Sequence, residues 1–464
     1  MLINRKNQTT NSEEKGNQPI SLLAGYCTES GKEVHLPYVD LLQHIAICGA
    51  TGSGTSILSH SLIKQQIMNG GGLLLIDGNS TENELNIAYR NACLAGRKND
   101  FFVINLSDPS NSNTYNPIMF GNPQEVCSRV MSLLTDTAGN ADADSDFFRS
   151  LAQQALVTII SAFQCLGKPY HLNDLTSVFL HEQALMEVER RLLDDHAEAN
   201  ETIQFLTLLS RYKTAKDFDM EKFKEMFGGF SSRLHDLCTG TFGDVLNTYN
   251  PEINLEECIL QNKIVYVKLP SLSSSKQAVA LAKLIIADFR SAIGRCQKLS
   301  VEELPKIPFM FHPNQCSAYL DESWGRLFEQ ARTSHIFLTP TFQSILCLQP
   351  AGNEQLSEIV MGNTKFKFFF KQQSLESATQ SAKAVGNADI NQITQEAYIV
   401  KPEQFKQLAV GECLLLVNGT ELYKLRLPQP FQSKNYIELD EIVLNHCTKS
   451  EVSGLNLSNF FVNS

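Results

Sequence analysis

The chain has 464 residues, 43% of them hydrophobic and 19% charged, with a formal net charge of −11. That length fits one large domain with an insertion, or two domains. The acidic balance argues against a general nucleic-acid binder, because phosphate contacts need Lys and Arg. A local basic patch is still open, since residues 322–371 include Arg326, Arg332, Lys365, Lys367 and Lys371.

Residues 1–19 are expected to form a disordered leader, because Asn4 to Pro19 is polar with almost nothing to bury. No apolar signal-peptide region opens the chain. No run approaches the ~20 apolar residues that span a bilayer. The best one, Ala155 to Leu166, contains Thr, Ser and Gln and reads as a buried helix. The twelve cysteines stand singly, without CxxC or zinc spacing. That pattern suits thiols in a reducing cytoplasm, mostly as core filler.

Ile20 to Leu36 reads as a strand pair, His44 to Cys48 as a strand and Ser56 to Met68 as a helix. Leu73 to Ile76 is an apolar strand, Glu82 to Ala95 a helix and Phe101 to Leu106 the next strand. This alternation predicts a parallel α/β sheet. From 123 to 250 only helices are expected: Gln124 to Leu134, Asp146 to Leu166, Glu182 to Asp195, Glu201 to Lys213 and Met220 to Leu237. Strands resume at Ile264 to Leu269, Phe309 to Phe311, Ile336 to Leu338 and Phe366 to Phe370. Helices are expected at Lys276 to Arg295, Glu322 to Arg332 and Glu376 to Val385. A hairpin turns at Asn418-Gly419, between Leu414 to Val417 and Glu421 to Leu425. The expected division is a sheet domain over 20–122 and 251–432, an all-α insertion over 123–250 and a tail over 433–464, loose from about Ser450.

The run Gly49-Ala50-Thr51-Gly52-Ser53-Gly54-Thr55-Ser56 follows a strand and opens a helix. That is the setting of a phosphate-binding loop, where glycines turn backbone N–H groups inward at a helix N-terminus. Thr55 stands where the pattern has a lysine. The lysine sets a positive charge against the β- and γ-phosphates, and Thr55 carries none. Ser56 keeps a hydroxyl for Mg²⁺ or phosphate. Two readings stand: a loop that holds phosphate but catalyses poorly, or a tight turn between strand and helix.

Across Leu22 to Leu427 the order of motifs resembles the conjugative and type IV secretion coupling proteins of the TraD/TraG and DotL/IcmO type, relatives of the HerA/FtsK motors. The matching residues are His44 to Gly49, Asp77-Gly78-Asn79, Ala95-Gly96-Arg97 with Asp100 to Asn105, Asn113-Thr114-Tyr115-Asn116-Pro117, Ile264 to Pro270 and Met361-Gly362-Asn363-Thr364. The resemblance implies a RecA-like P-loop parallel-sheet domain with an all-α insertion, ATP and Mg²⁺ as ligands, and a hexameric ring. It also implies single-stranded DNA and a relaxase or effector as cargo.

The same resemblance places the second acidic motif at Asn314-Gln315, where two carboxylates have become amides. A neutral amide binds a hard dication weakly and cannot act as a base. The nearby Asp321-Glu322 pair opens a helix, so capping is its expected role. Arg332 matches the arginine that reaches a neighbour's nucleotide, or else is a surface helix residue. Gln343 matches a sensor glutamine, or else a polar residue at a helix start. Asn79 stands where relatives carry Lys. Hydrolysis is therefore expected to be impaired or absent. The alternatives are an active translocation motor using atypical residues, and a scaffold that binds no nucleotide.

Relatives carry N-terminal transmembrane helices, and none is legible here: either such a segment lies outside this sequence, or the protein docks peripherally. The expected location is the cytoplasm, including a peripheral place at the inner membrane. The insertion is expected to be the recognition surface. Its acidic stretches, Glu187 to Glu198 and Glu252 to Glu257, suit a basic partner or are solvated faces.

Overall fold

The computed structural model describes residues 20–78, 82–134, 143–214, 217–269, 275–321, 323–349, 354–386, 398–428, 442, 444, 446 and 452–461. The expected leader, Asn79 and Glu322 lie outside these.

The chain opens with β1 (Ser21–Cys27) and β2 (Glu33–Pro37), then a single turn α1 (Tyr38–Leu41). β3 (Ile45–Cys48) leads into α2 (Thr55–Met68), β4 (Leu73–Asp77), α3 (Glu82–Leu94) and β5 (Phe101–Asn105). Among the described residues, eight α-helices follow before the sheet resumes. They are α4 (Pro123–Met131), α5 (Ala143–Cys165), α6 (Leu172–Leu180), α7 (Glu182–His196), α8 (Asn200–Ser210), α9 (Met220–Cys238), α10 (Gly240–Leu246) and α11 (Leu255–Leu260). α6, α10 and α11 are absent from the sequence reading. Each is nine residues or fewer, too short for apolar periodicity to show.

β6 (Ile264–Lys268), α12 (Ser275–Cys296), β7 (Phe309–Asn314) and α13 (Trp324–Thr333) rebuild the sheet. β8 (Ile336–Leu338), β9 (Thr341–Phe342), α14 (Gln355–Gly362) and β10 (Phe366–Phe369) come next. α15 (Leu375–Val385), α16 (Pro402–Gln407) and the hairpin β11 (Glu412–Val417) with β12 (Glu421–Arg426) complete the order.

One sheet runs β5-β6-β4-β7-β8, all parallel; the other runs β2-β1-β12-β11-β10-β3-β9. β8 and β9 are consecutive pieces of one strand, and Pro340 is the break. Thr339 N–H still donates to Phe311 of β7 at 2.9 Å, while the Pro340 carbonyl accepts from Ile47 of β3 at 3.0 Å. Proline gives no N–H to a ladder, so the strand changes partners there and the two sheets meet along 336–342.

Strand residues alternate between two cores. Ile45, Ile47, Leu73, Leu75, Phe101 and Val103 pack on the side of α2 and α3. Ala46, Cys48, Leu74, Ile76, Phe102 and Ile104 pack on the other side with α12, α13 and the inserted helices. Burial on both faces explains why these strands read as unbroken apolar runs.

The inserted helices are joined to the sheet through Asn113 to Pro117, the most specific stretch of the sequence resemblance. Asn113 Oδ1 accepts from Val103 N–H at 2.9 Å. Asn116 Nδ2 donates to the carbonyls of Tyr170 and Thr248, both at 2.8 Å. Tyr115 hydroxyl donates to Asp288 Oδ2 of α12 at 2.7 Å. Asp288 Oδ1 lies 2.8 Å from Arg129 Nη1 of α4, an ion pair in which both residues are buried. Burial, partly offset by Arg129, raises the Asp288 carboxyl above its ordinary range.

The tail is not loose over 452–461. Leu455 and Leu457 are fully buried against the inserted helices. A four-residue apolar motif is enough to hold it, and such a motif is too short to register as an element. The eleven cysteines of the described residues are free.

Replacing Asp288 with Ala strands a buried guanidinium. The expected cost is about 3–5 kcal/mol in urea unfolding. Asp288→Asn, which keeps an acceptor for Tyr115, should cost less.

Candidate functional site

The loop lies where β3 ends between β9 and β10. Gly49 donates to the Phe342 carbonyl at 3.1 Å, and Ala50 donates to the Lys371 carbonyl at 3.0 Å. A Cβ on Gly49 would come within 2.5 Å of Phe370 Cβ, so only glycine lets the loop pass. Gly54, at φ +109°, caps α2 in a conformation closed to most side chains. The N–H groups of Thr51, Gly52, Gly54, Thr55 and Ser56 have no backbone partner among the described residues. Ser53 is 2% exposed, and its hydroxyl has no partner. Loop N–H groups without a backbone partner, a helix N-terminus and an unpaired buried hydroxyl are the donor set an anionic oxygen requires.

Thr55 begins α2 half-buried, and its methyl packs toward Gly49. It supplies neither charge nor reach. Ser56, at the next position, is exposed. Lys371, on the strand edge beside Ala50, is exposed. Of the basic residues between 322 and 371, Lys365 pairs with Asp40 at 2.7 Å and Lys367 donates to the Thr364 carbonyl.

The second degenerate motif meets the loop through β9. Asn314 ends β7, in register with Asp77 at the end of β4. Thr341 hydroxyl donates to Asn314 Oδ1 at 2.7 Å and accepts from Gln315 N–H at 2.8 Å. Its neighbour Phe342 receives Gly49 N–H. Gln315 turns away from the strand at φ +51°. Thr55, just after β3, and Asn314 and Gln315, at the end of β7, therefore lie at the carboxyl ends of strands that the segment 336–342 links. This is where ligands bind in open α/β sheets. Asp77 also reaches this edge; it is buried and accepts from Tyr266 hydroxyl at 2.6 Å.

Gln343 follows β9 at the same edge with its side chain exposed. Arg332 is not brought there. It ends α13, one turn beyond Phe328, whose carbonyl takes His44 Nε2 at 2.8 Å at the opposite end of β3. Asp321 Oδ1 accepts from Ser323 N–H at 2.9 Å, ahead of α13. That is a turn-capping role.

The acidic stretches are largely spent within the chain. Glu187 pairs with Arg190 and Arg191, Glu189 with Lys213 and Glu256 with Arg295. Sequence reasoning missed the turn before β11, where Gly411 N–H donates to the Ser53 carbonyl at 3.2 Å. A Cβ on Gly54 would meet Gly411 N at 2.8 Å. No local signal connects residues 54 and 411.

A phosphate group fits this cradle. For a divalent cation the edge offers the Ser56 hydroxyl and Asp77; Asn314 and Gln315 are neutral. Among the described residues no group of three His, Cys, Asp or Glu side chains is placed to hold a metal, and no helix is long and apolar enough to cross a membrane.

No family model matches the chain. Over 427 residues it is 23% identical to the type 4 coupling protein DotL of Legionella pneumophila subsp. pneumophila, covering 82% of this chain and 52% of that protein. The chain thus spans about half the length of that curated relative. Its fold is similar to the plasmid coupling protein TrwB in complex with the non-hydrolysable GTP analogue GDPNP: TM-score 0.60, 12% identity, 90% of this chain and 97% of that one. TrwB in complex with ADP and Mg²⁺ gives TM-score 0.59 at 11% identity, over 89% of this chain and 95% of that one.

His44 and His312 brace the strands behind this edge. Burial lowers them from 6.5 to about 4 and about 3. Below pH 6.5 the unfolded chain takes up protons that the folded chain refuses, so stability rises with pH and is lost as pH falls from 6.5 toward 4. Each histidine should remove about 2 kcal/mol between pH 6.5 and 5. Urea unfolding across that range should show the slope, and His312→Gln should reduce it by about half.

Proposed function

We propose that the chain belongs with the coupling proteins of type IV secretion and serves such a system as a coupling-protein-like component that binds nucleotide, hydrolyses it poorly, and recruits substrate or partners. What supports this reading is that Thr55, Asn314 and Gln315, all neutral, lie at the same sheet edge as a loop whose N–H groups have no backbone partner among the described residues. The loop residues 49–56 bind the phosphates and Ser56 contacts Mg²⁺. The lysine and carboxylates that neutralise charge, hold the metal shell and orient the attacking water have no counterpart at those three positions. One electrostatic element of this kind is commonly worth about 10²–10³ in rate.

Residues 20–122 and 251–432 act as the nucleotide-binding unit, and the helices of 123–250 as the recognition surface. Arg332, distant from its own chain's loop, is suited to act on a neighbour in a ring. Binding of a relaxase or effector, of single-stranded DNA, and assembly into a homo- or hetero-hexamer at the inner membrane all belong to this proposal. A second reading, an active motor, is favoured by one feature: the Asp77 carboxylate stands in register with Asn314.

Calorimetry with a non-hydrolysable ATP analogue and steady-state turnover, with and without single-stranded DNA, test this. The expected result is saturable binding, weakened at least tenfold by Gly54→Ala, with turnover at background. The triple substitution Thr55→Lys, Asn314→Asp, Gln315→Glu should raise turnover at least 100-fold. Steady turnover in the unaltered chain, abolished by Ser56→Ala, would establish the motor. No binding at millimolar nucleotide would establish the scaffold.

A further inference from the structure

The segment Gly454-Leu455-Asn456-Leu457 lies in a groove built entirely by the inserted helices and their connections. Leu455 and Leu457 are fully buried, while Asn456, at φ +54°, points its side chain outward. Every N–H of the last three residues is bound. Leu455 donates to the Pro169 carbonyl at 3.0 Å. Asn456 donates to Tyr249 hydroxyl at 2.9 Å, and Leu457 to Asp174 Oδ1 at 2.8 Å. The Leu455 carbonyl accepts from Arg191 Nη1 at 2.7 Å, and Glu187 holds that guanidinium at 2.7 Å.

The receptor side is itself braced. Tyr249 stacks on His171 at 4.4 Å and donates to the fully buried Asp174 at 3.2 Å. Its ring also reads the first position. A Cβ on Gly454 would come within 2.2 Å of Tyr249, so only glycine passes. Main-chain hydrogen bonds give affinity, while a glycine and two leucine pockets give specificity. This is the division of labour found in short-peptide recognition.

We propose that the insertion carries a receptor site for a Gly-Leu-x-Leu peptide that turns at the third position, filled in the isolated chain by residues 454–457 and open to a partner protein that presents the same pattern. The site is independent of the nucleotide loop. Four residues make the contacts, so the free peptide binds modestly, on the order of 100 µM. Only residues 447–453 separate Gly454 from His446, which pairs with Glu252 at 3.1 Å. So short a connection holds the segment at an effective concentration on the order of millimolar. The site is therefore closed at rest, yet a partner bound elsewhere on the chain competes on equal terms.

The test uses the full chain carrying Leu455→Asp and Leu457→Asp, which empties the groove, and a fluorescein-labelled peptide of residues 453–461 followed by anisotropy. The opened chain should bind it saturably, and the unaltered chain at least tenfold more weakly. Peptides with Gly454→Ala or with both leucines changed should lose binding, and Arg191→Ala in the opened chain should weaken it about tenfold. An opened chain that is folded by circular dichroism yet fails to bind at 2 mM peptide, or binds the altered peptides equally, would overturn the proposal. Should the opened chain not fold, the unaltered chain decides. Unlabelled peptide at about 2 mM should accelerate proteolytic removal of residues 452–464, and no acceleration overturns the site. A concentration-dependent dimer of the unaltered chain, lost on opening, would overturn the separate partner in favour of a second copy.

Discussion

Pro340 has no N–H, and the strand that carries it changes neighbours at that residue. Before it, Ile336–Leu338 pairs with the strand that ends in Asn314; after it, Thr341–Phe342 pairs with the strand that ends in Cys48. The candidate site exists because of this exchange. Thr341 fixes Asn314 and Gln315 with its hydroxyl, and the next residue fixes the loop with its carbonyl. A continuous strand without that break would keep a single set of partners and leave the two motifs unlinked.

The loop edge is braced from the far side as well. Phe370 and the Lys371 carbonyl bound the loop on the β10 side, and Gly411 closes over Ser53 and Gly54. These contacts make the loop rigid without giving it charge. Its N–H donors are present, while Thr55, Asn314 and Gln315 are neutral, and the proposed separation of binding from hydrolysis rests on that contrast.

The insertion has its own constraint. It leaves and rejoins the sheet between two neighbouring strands, so its orientation rests on what crosses the boundary. Tyr115, Asp288 and Arg129 form that crossing in the buried interior, and Asn116 ties its carbonyl partners on the helical side. The motif that most specifically marked the resemblance thus works as a joint, with no contact to the nucleotide loop. The C-terminal segment adds a second attachment, made almost wholly by backbone groups and two leucines.

The sequence by itself determined the alternating strands and helices, because two-sided burial leaves unbroken apolar runs such as Leu73 to Ile76 and Phe101 to Val103. It determined the glycine loop, because only glycine fits at 49 and 54. It also determined the absence of charge at 55, 314 and 315, which is a matter of composition. Only the tertiary structure decided that these three positions share one edge, since the bonds that link Asn314 and Gln315 to Thr341, and Phe342 to Gly49, leave no periodic trace in the sequence. The same holds for Gly411 over the loop, for Arg332 at the opposite edge, and for the internal pairing that uses up Glu187, Glu189 and Glu256. Docking of Leu455 and Leu457 was equally illegible. Two leucines in a polar tail carry no signal until a groove with matching donors and acceptors exists to receive them.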